Sequence, residues 1–171
     1  TEHLIENEKQ SGEAGGARTY DYESNADLAR YMGLHFNVPN DDARLSLVGT
    51  STVGYTQRIY LVIDELLKEH AVERVRALDL GCATGGLAFE LAISFQSVIG
   101  IDLSKRFIST CAELQSGQTL AYELVDEGQI MTSCQFHLDD LHLGVAHRCQ
   151  FEVGDACDIR SGIGRFNFVC M

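Results

Sequence analysis

The stretch from Val75 to Ser104, VRALDLGCATGGLAFELAISFQSVIGIDLS, constrains the chain more than any other. An apolar run, Ala77 to Leu80, carries one acid, Asp79, and breaks into Gly81-Cys82-Ala83-Thr84-Gly85-Gly86, which predicts a strand entering a glycine-rich turn. Leu87, Leu91 and Phe95, with Ala88 and Ala92 between them, read as a helix, and Val98-Ile99-Gly100-Ile101 reads as a second buried strand closed by Asp102. Such a unit takes the nucleoside part of a cofactor. Small residues let the backbone approach the ligand, and a carboxylate ending the second strand accepts from both ribose hydroxyls. Asp102 lies 21 residues after Gly81, against the spacing of about 20 that this geometry calls for.

Two cofactor classes fit the turn. Gly81, Ala83 and Gly86 form a variant of the dinucleotide fingerprint, whereas Asp79, Gly81, Ala83 and Gly85 resemble the first motif of S-adenosylmethionine-dependent methyltransferases. The acid separates them. A dinucleotide puts its pyrophosphate against the turn and the following helix N-terminus, where the charge of Asp79 would repel it. A methionine ammonium is attracted by the same charge.

The remaining chain is read around this unit. At 171 residues and 45% hydrophobic content, one ordinary domain is expected, residues 19–171, preceded by a polar tail or linker, 1–18, with Gly12, Gly15 and Gly16. A formal charge of −12 argues against a nucleic-acid partner, since phosphate contacts need clustered Lys and Arg. No apolar run approaches the ~18 residues of a membrane span. The scattered cysteines, Cys82, Cys111, Cys134, Cys149, Cys157 and Cys170, include no C-x-x-C pair and read as small core residues in a reducing compartment. A soluble, cytoplasmic protein is the expectation.

From Ser24, a candidate N-cap, Leu28, Tyr31, Met32, His35 and Phe36 recur at helical spacing, and His35 on that apolar face is read as a satisfied core histidine. Pro39 follows the helix. A second, amphipathic helix carries Ile59, Val62, Ile63, Leu66 and Leu67 on one face. At its entrance Tyr55 and Arg58 are candidate lining of a substrate mouth, or simply a helix-start tyrosine and a solvated arginine. After the nucleoside unit, Ser104 caps a helix through Phe107, Ile108, Cys111 and Ala112 that Gly117 stops. Over thirty residues then precede the next strand, Cys149 to Val153. Within them Leu120 to Val125 and Ile130 to His137, around Asp126-Glu127-Gly128, predict an inserted β-hairpin and candidate substrate lid. His137, Asp139, Asp140, His142 and His147 lack metal-ligand spacing, so no metal site is expected. The third strand ends in Gly154-Asp155-Ala156, and Gly164 to Met171 reads as a fourth.

The chain from about residue 20 onward resembles the 4-mercaptohistidine N1-methyltransferase domain found at the C-terminus of the ovothiol biosynthesis enzyme. The likeness rests on Tyr22-Glu23-Ser24 to Phe36, on Tyr55 with Arg58, on ALDLGCATGGLAFEL, VIGIDLSKRFI, YELVDEG and FEVGDACDI. It implies an α/β, Rossmann-like class I methyltransferase fold with an N-terminal helical extension, an inserted β-hairpin before the third strand, and C-terminal strands missing, since only four strands follow Val75. It also implies S-adenosyl-L-methionine as cofactor. The implied cofactor residues are Asp79, Gly81, Cys82, Ala83 and Gly85 in the turn, Asp102 and Leu103 after the second strand, and Asp155 and Ala156 after the third, at the adenine. The implied reaction is methyl transfer to an imidazole nitrogen of 5-thiohistidine, a small-molecule partner, following the step of an upstream iron-dependent sulfoxide synthase domain. Another small-molecule acceptor, or cofactor binding without turnover, remains the alternative. Asn167 stands where the family usually has an aspartate. With the C-terminal strands missing, a fragment inactive alone is the expectation.

Overall fold

The computed structural model describes residues 22–36, 54–125 and 131–171. The proposed tail 1–18, Pro39 and the hairpin turn Asp126-Glu127-Gly128 lie outside these. The elements run α1 (Asn25–Phe36), α2 (Tyr55–Glu69), β1 (Arg76–Leu80), α3 (Gly86–Ser94), β2 (Ser97–Asp102), α4 (Lys105–Gln115), β3 (Leu120–Val125), β4 (Met131–Phe136), α5 (Asp140–Ala146), β5 (Cys149–Val153) and β6 (Phe168–Cys170).

Strands with apolar residues on both faces need cover on both, which is the pattern of parallel sheets. The main sheet has the order β5-β2-β1-β6, and each of its pairings is parallel. Ala77, Val98 and Cys149 face a core shared with α1, α3 and α4, through Met32, Phe89, Leu91, Phe107 and Leu114. On the other face Leu78, Ile99 and Ile101 pack with Leu80 at the end of β1 and with Ile163 and Phe166 of the β5–β6 connection. The chain steps outward from β1 to β2 to β5 and then returns to the far side of β1 as β6. That reversal opens a crevice at the strands' carboxyl ends, where open α/β sheets bind ligands.

The hairpin forms as expected, with β3 and β4 antiparallel from Leu120↔Phe136 to Val125↔Met131. None of its described residues lines the cavity at the carboxyl ends. Tyr122 and Cys134 are buried in the main core, and Phe136 stacks on Phe36 of α1 with ring centroids 4.4 Å apart. What the periodicity missed is α5, seven residues begun by Asp139, whose carboxylate accepts from His142 N at 2.9 Å. Asp139, Asp140 and His142 thus belong to the helix start, and His147 is its C-cap. Among the described residues no group of three or more His, Cys, Asp or Glu is placed to hold a metal ion.

Two further expectations change. The fourth strand is only Phe168–Cys170, because Arg76 engages the residues before it: its guanidinium lies over the Phe166 ring at 4.5 Å, and its backbone N–H donates to Asn167 Oδ1 at 3.0 Å. Helix α2 buries only part of its apolar face. Leu67 is 4% exposed, while Val62 and Leu66 remain 59% and 49% exposed. Among the described residues no helix is long and apolar enough to cross a membrane.

Candidate functional site

The glycine turn is held by backbone bonds that its own sequence permits. Gly81 N and Cys82 N both donate to Ile101 O, at 2.8 and 3.1 Å, and Gly85 N donates to Cys82 O at 2.8 Å. Gly81 (φ 74°) and Gly85 (φ 81°) adopt left-handed backbone, where glycine carries no Cβ penalty. Ala83 also has positive φ, 45°, which an L-residue adopts only at some cost. It is held there because its N–H donates to Asp102 Oδ2 at 2.8 Å. The other carboxylate oxygen accepts from Ser104 N at 2.9 Å, at the N-cap of α4. Asp102 therefore ties the turn to the end of β2.

Around this knot lies a cavity of about 300 Å³, lined by Gly81, Ala83, Ile101, Asp102, Leu103, Gly154, Asp155 and Ala156 together with Tyr22, Tyr31 and Phe107. Six of the sequence-assigned cofactor residues meet here: Gly81, Ala83, Asp102, Leu103, Asp155 and Ala156. Leu103 leaves a large apolar side chain 69% exposed beside the cavity. Asp155 Oδ1 accepts from Cys157 N at 2.8 Å, fixing the loop after β5.

The other three do not line it. Cys82 is buried inward under the turn, where the neighbouring Cys111 thiol and burial push its own thiol well up, so it is a protonated packing residue. Gly85 gives way to Cys111 Sγ and the Phe151 ring, which a Cβ would meet at 3.0 and 3.1 Å. Asp79 is 4% exposed beneath the turn; its Oδ1 is 3.5 Å from Cys170 Sγ, and its Oδ2 has no hydrogen-bond partner. Burial, and secondarily the charge of Asp102, push its carboxyl up to about 6. An orphaned buried carboxylate oxygen is what an ammonium group would satisfy, so the turn fits a cofactor with a cationic amino-acid end and not one with a pyrophosphate.

Tyr55 and Arg58 are placed elsewhere. They border a shallow groove with Ile59, Val62 and Ile63 on α2 and share no residue with the cavity. Among the cysteines, Cys82, Cys111, Cys134 and Cys149 are buried, as core residues should be, but Cys157 is exposed.

Sequence reasoning missed the aromatic wall. Tyr22 and Tyr31 meet edge-on at 6.1 Å, and Phe107 lies 6.0 and 5.0 Å from their rings. The segment before α1 is moored to α4: Ser104 Oγ donates to Tyr22 O at 3.0 Å, and Glu23 accepts from Lys105 N at 2.8 Å and Arg106 N at 3.1 Å. The one available signal was the acid at Glu23, able to cap a helix, but the helix it caps begins 82 residues later.

The sequence profile of a family described as "Methyltransferase domain" matches residues 78–170, more than half of the chain. The chain belongs to this methyltransferase family. The four-stranded parallel sheet and the cavity at its carboxyl ends are the α/β, Rossmann-like frame of that family. Solved structures with a similar fold include the YcgJ protein of Bacillus subtilis, at 17% identity over 66% of this chain and 36% of that one, with a TM-score of 0.43. The glycopeptide N-methyltransferase MtfA complexed with sinefungin is similar at 18% identity, 62% and 33% coverage and TM-score 0.40. Magnesium protoporphyrin IX methyltransferase from Synechocystis PCC 6803 with bound SAM is similar at 21% identity, 56% and 45% coverage and TM-score 0.42. The chain thus spans less than half the length of each of these proteins. No curated protein matches it.

Proposed function

We propose that this methyltransferase domain binds S-adenosyl-L-methionine in the cavity at the carboxyl ends of β1, β2 and β5 and serves methylation of an imidazole nitrogen of 5-thiohistidine. The observation that carries the cofactor reading is Asp102, a carboxylate tied to the turn by Ala83 N at 2.8 Å while lining the cavity. Asp102 would hold the ribose diol and Asp155 the adenine edge. Asp79, buried and with its Oδ2 unpartnered, would face the ammonium group. Leu103, Tyr22, Tyr31 and Phe107 would supply apolar and aromatic walls that exclude water.

The cofactor, when bound, supplies an electrophilic methyl group on a sulfonium. The protein's task is then mainly positioning, because a neutral imidazole nitrogen already carries the attacking lone pair. No residue is needed as a general base before attack, and the proton lost from the methylated imidazolium can pass to water. The acceptor assignment is supported by the likeness to the ovothiol methyltransferase domain, whose upstream sulfoxide synthase domain is the partner proposed to supply the thiolated ring.

The test is incubation with methyl-labelled S-adenosylmethionine and 5-thiohistidine, followed by mass spectrometry, beside calorimetry with S-adenosylhomocysteine. N-methylated thiohistidine supports the full reading. Binding with no transfer to thiohistidine removes the acceptor assignment, and binding of a nicotinamide dinucleotide instead removes the cofactor assignment.

A further inference from the structure

Helix α3 starts inside the glycine turn, and its N-cap, Gly85, has no side chain to accept from the exposed first-turn N–H groups. A histidine from another helix supplies the missing acceptor. His35 Nδ1 stands 3.2 Å from Gly86 N and 3.0 Å from Thr84 Oγ1. An amide N–H only donates, so Nδ1 is the unprotonated nitrogen, the Thr84 hydroxyl donates to it as well, and the ring proton sits on Nε2. Burial agrees, lowering the imidazole to about 4 and keeping it neutral.

The steric fit is equally specific. A Cβ on Gly86 would stand 2.7 Å from His35 Cβ and 2.9 Å from Cγ and Nδ1, so the helix start is glycine because this ring occupies the space. The backbone behind the ring is fixed, since Thr56 Oγ1 donates to His35 O at 2.8 Å. Edge-on at 5.9 Å lies Tyr31, which lines the cofactor cavity.

We propose that His35 is a positioning residue for cofactor binding: by accepting from the Gly86 N–H and the Thr84 hydroxyl it caps α3 and holds the glycine turn in its ligand-ready shape. It is not a general base, because its one lone pair is already engaged by two donors. The proposal rests on the reading that the turn takes S-adenosylmethionine. It assigns to α1 a share in the cofactor site that no residue of the glycine turn itself reveals.

Three variants separate acceptor from bulk. In His35→Asn, Oδ1 stands as many bonds from Cα as Nδ1 does and keeps the acceptor; His35→Phe keeps a ring without one; Thr84→Val keeps the shape and removes one donor. Affinity for S-adenosylhomocysteine is read by calorimetry, with circular dichroism to verify folding. Exchange of the Gly86 amide is read by NMR without ligand. We expect His35→Phe to weaken binding and speed Gly86 exchange by about tenfold, the fold-change of one lost hydrogen bond. His35→Asn should stay within about threefold of wild type, and Thr84→Val should fall between them. Equal losses in the Asn and Phe variants, or no loss in Phe, overturn the proposal. Should His35→Phe not fold, long-range proton–nitrogen spectra of the wild-type ring decide: a proton on Nδ1 overturns the assignment, and one on Nε2 supports it. If wild type binds no S-adenosylhomocysteine while Gly86 exchange still separates Phe from Asn, the cofactor reading fails and the cap itself stands.

Discussion

Each carboxylate oxygen of Asp102 already accepts one backbone N–H, from Ala83 at 2.8 Å and Ser104 at 2.9 Å, and each keeps lone-pair capacity for a ribose hydroxyl. The side chain therefore acts in the fold as well as at the ligand, unlike a carboxylate standing free at an open crevice. Asp102→Ala should weaken S-adenosylhomocysteine binding by ~1.5–3 kcal/mol, the scale of hydrogen bonds to a charged group. It should also lower unfolding stability by about 1–3 kcal/mol, because two backbone donors lose their acceptor and Ala83 is no longer held at positive φ. Calorimetry and urea denaturation measure the two effects, and unchanged affinity in a folded variant would remove Asp102 from the site. Asp79 adds a pH signature. A cationic ligand prefers the ionised carboxylate, so affinity should rise with pH through about 6, where Asp79 ionises in the free protein. A flat profile in wild type, or one unchanged in Asp79→Asn, argues against an ammonium at that oxygen. The placement of Asp79 in β1, Gly81 in the turn and Asp102 at the end of β2 was legible from sequence because their register along one strand–turn–strand unit is local. His35 was legible only as a helix-face residue, since its partner Gly86 is 51 positions away.

At the scale of elements, the parallel strands and the first four helices could be read from periodicity and caps, and α5 could not. Seven residues interrupted by Gly144 make too short an apolar pattern, although Asp139 at its N-cap was a usable signal. The hairpin was visible in its alternation, but not its place, because burial of Tyr122 and Cys134 depends on α1 arriving from a distant part of the chain. Helix α4 shows how such an arrival is secured. Ser104 Oγ accepts from Phe107 N at 3.0 Å as an ordinary N-cap and donates to Tyr22 O at 3.0 Å, while Glu23 covers the next two amides. Ser104→Ala should cost about 1 kcal/mol as a lost cap. It should also weaken cofactor binding, because Tyr22 loses one of the contacts that hold it at the cavity wall; a stability loss with full affinity retained would show that the mooring does not shape the site.

Across the whole molecule, two buried groups pull the pH dependence of stability in opposite directions. Burial raises Asp79 from the ordinary carboxylate range, about 4, to about 6. Between those values the folded chain holds a proton that the unfolded chain has lost, so rising pH destabilises the fold. Burial lowers His35 from about 6.5 to about 4. Over nearly the same interval the unfolded chain holds the extra proton, so rising pH stabilises the fold. Each effect is on the order of 3 kcal/mol when converted at 1.36 kcal/mol per unit, and they oppose one another from about pH 4 to about pH 6. Above this range His142 takes over. Glu90 and Asp139 raise its imidazole, so its contribution is fully present below about 6.5 and is lost as pH rises through the raised value. Wild type without ligand should accordingly show a shallow plateau in urea-unfolding free energy on the acid side of neutrality, then a decline above it. Asp79→Asn should convert the plateau into a rise with pH, and His35→Asn into a fall. His142→Gln should remove the decline at higher pH. Parallel curves for wild type, Asp79→Asn and His35→Asn between pH 4 and 6 would show that these two side chains are not buried as the fold places them.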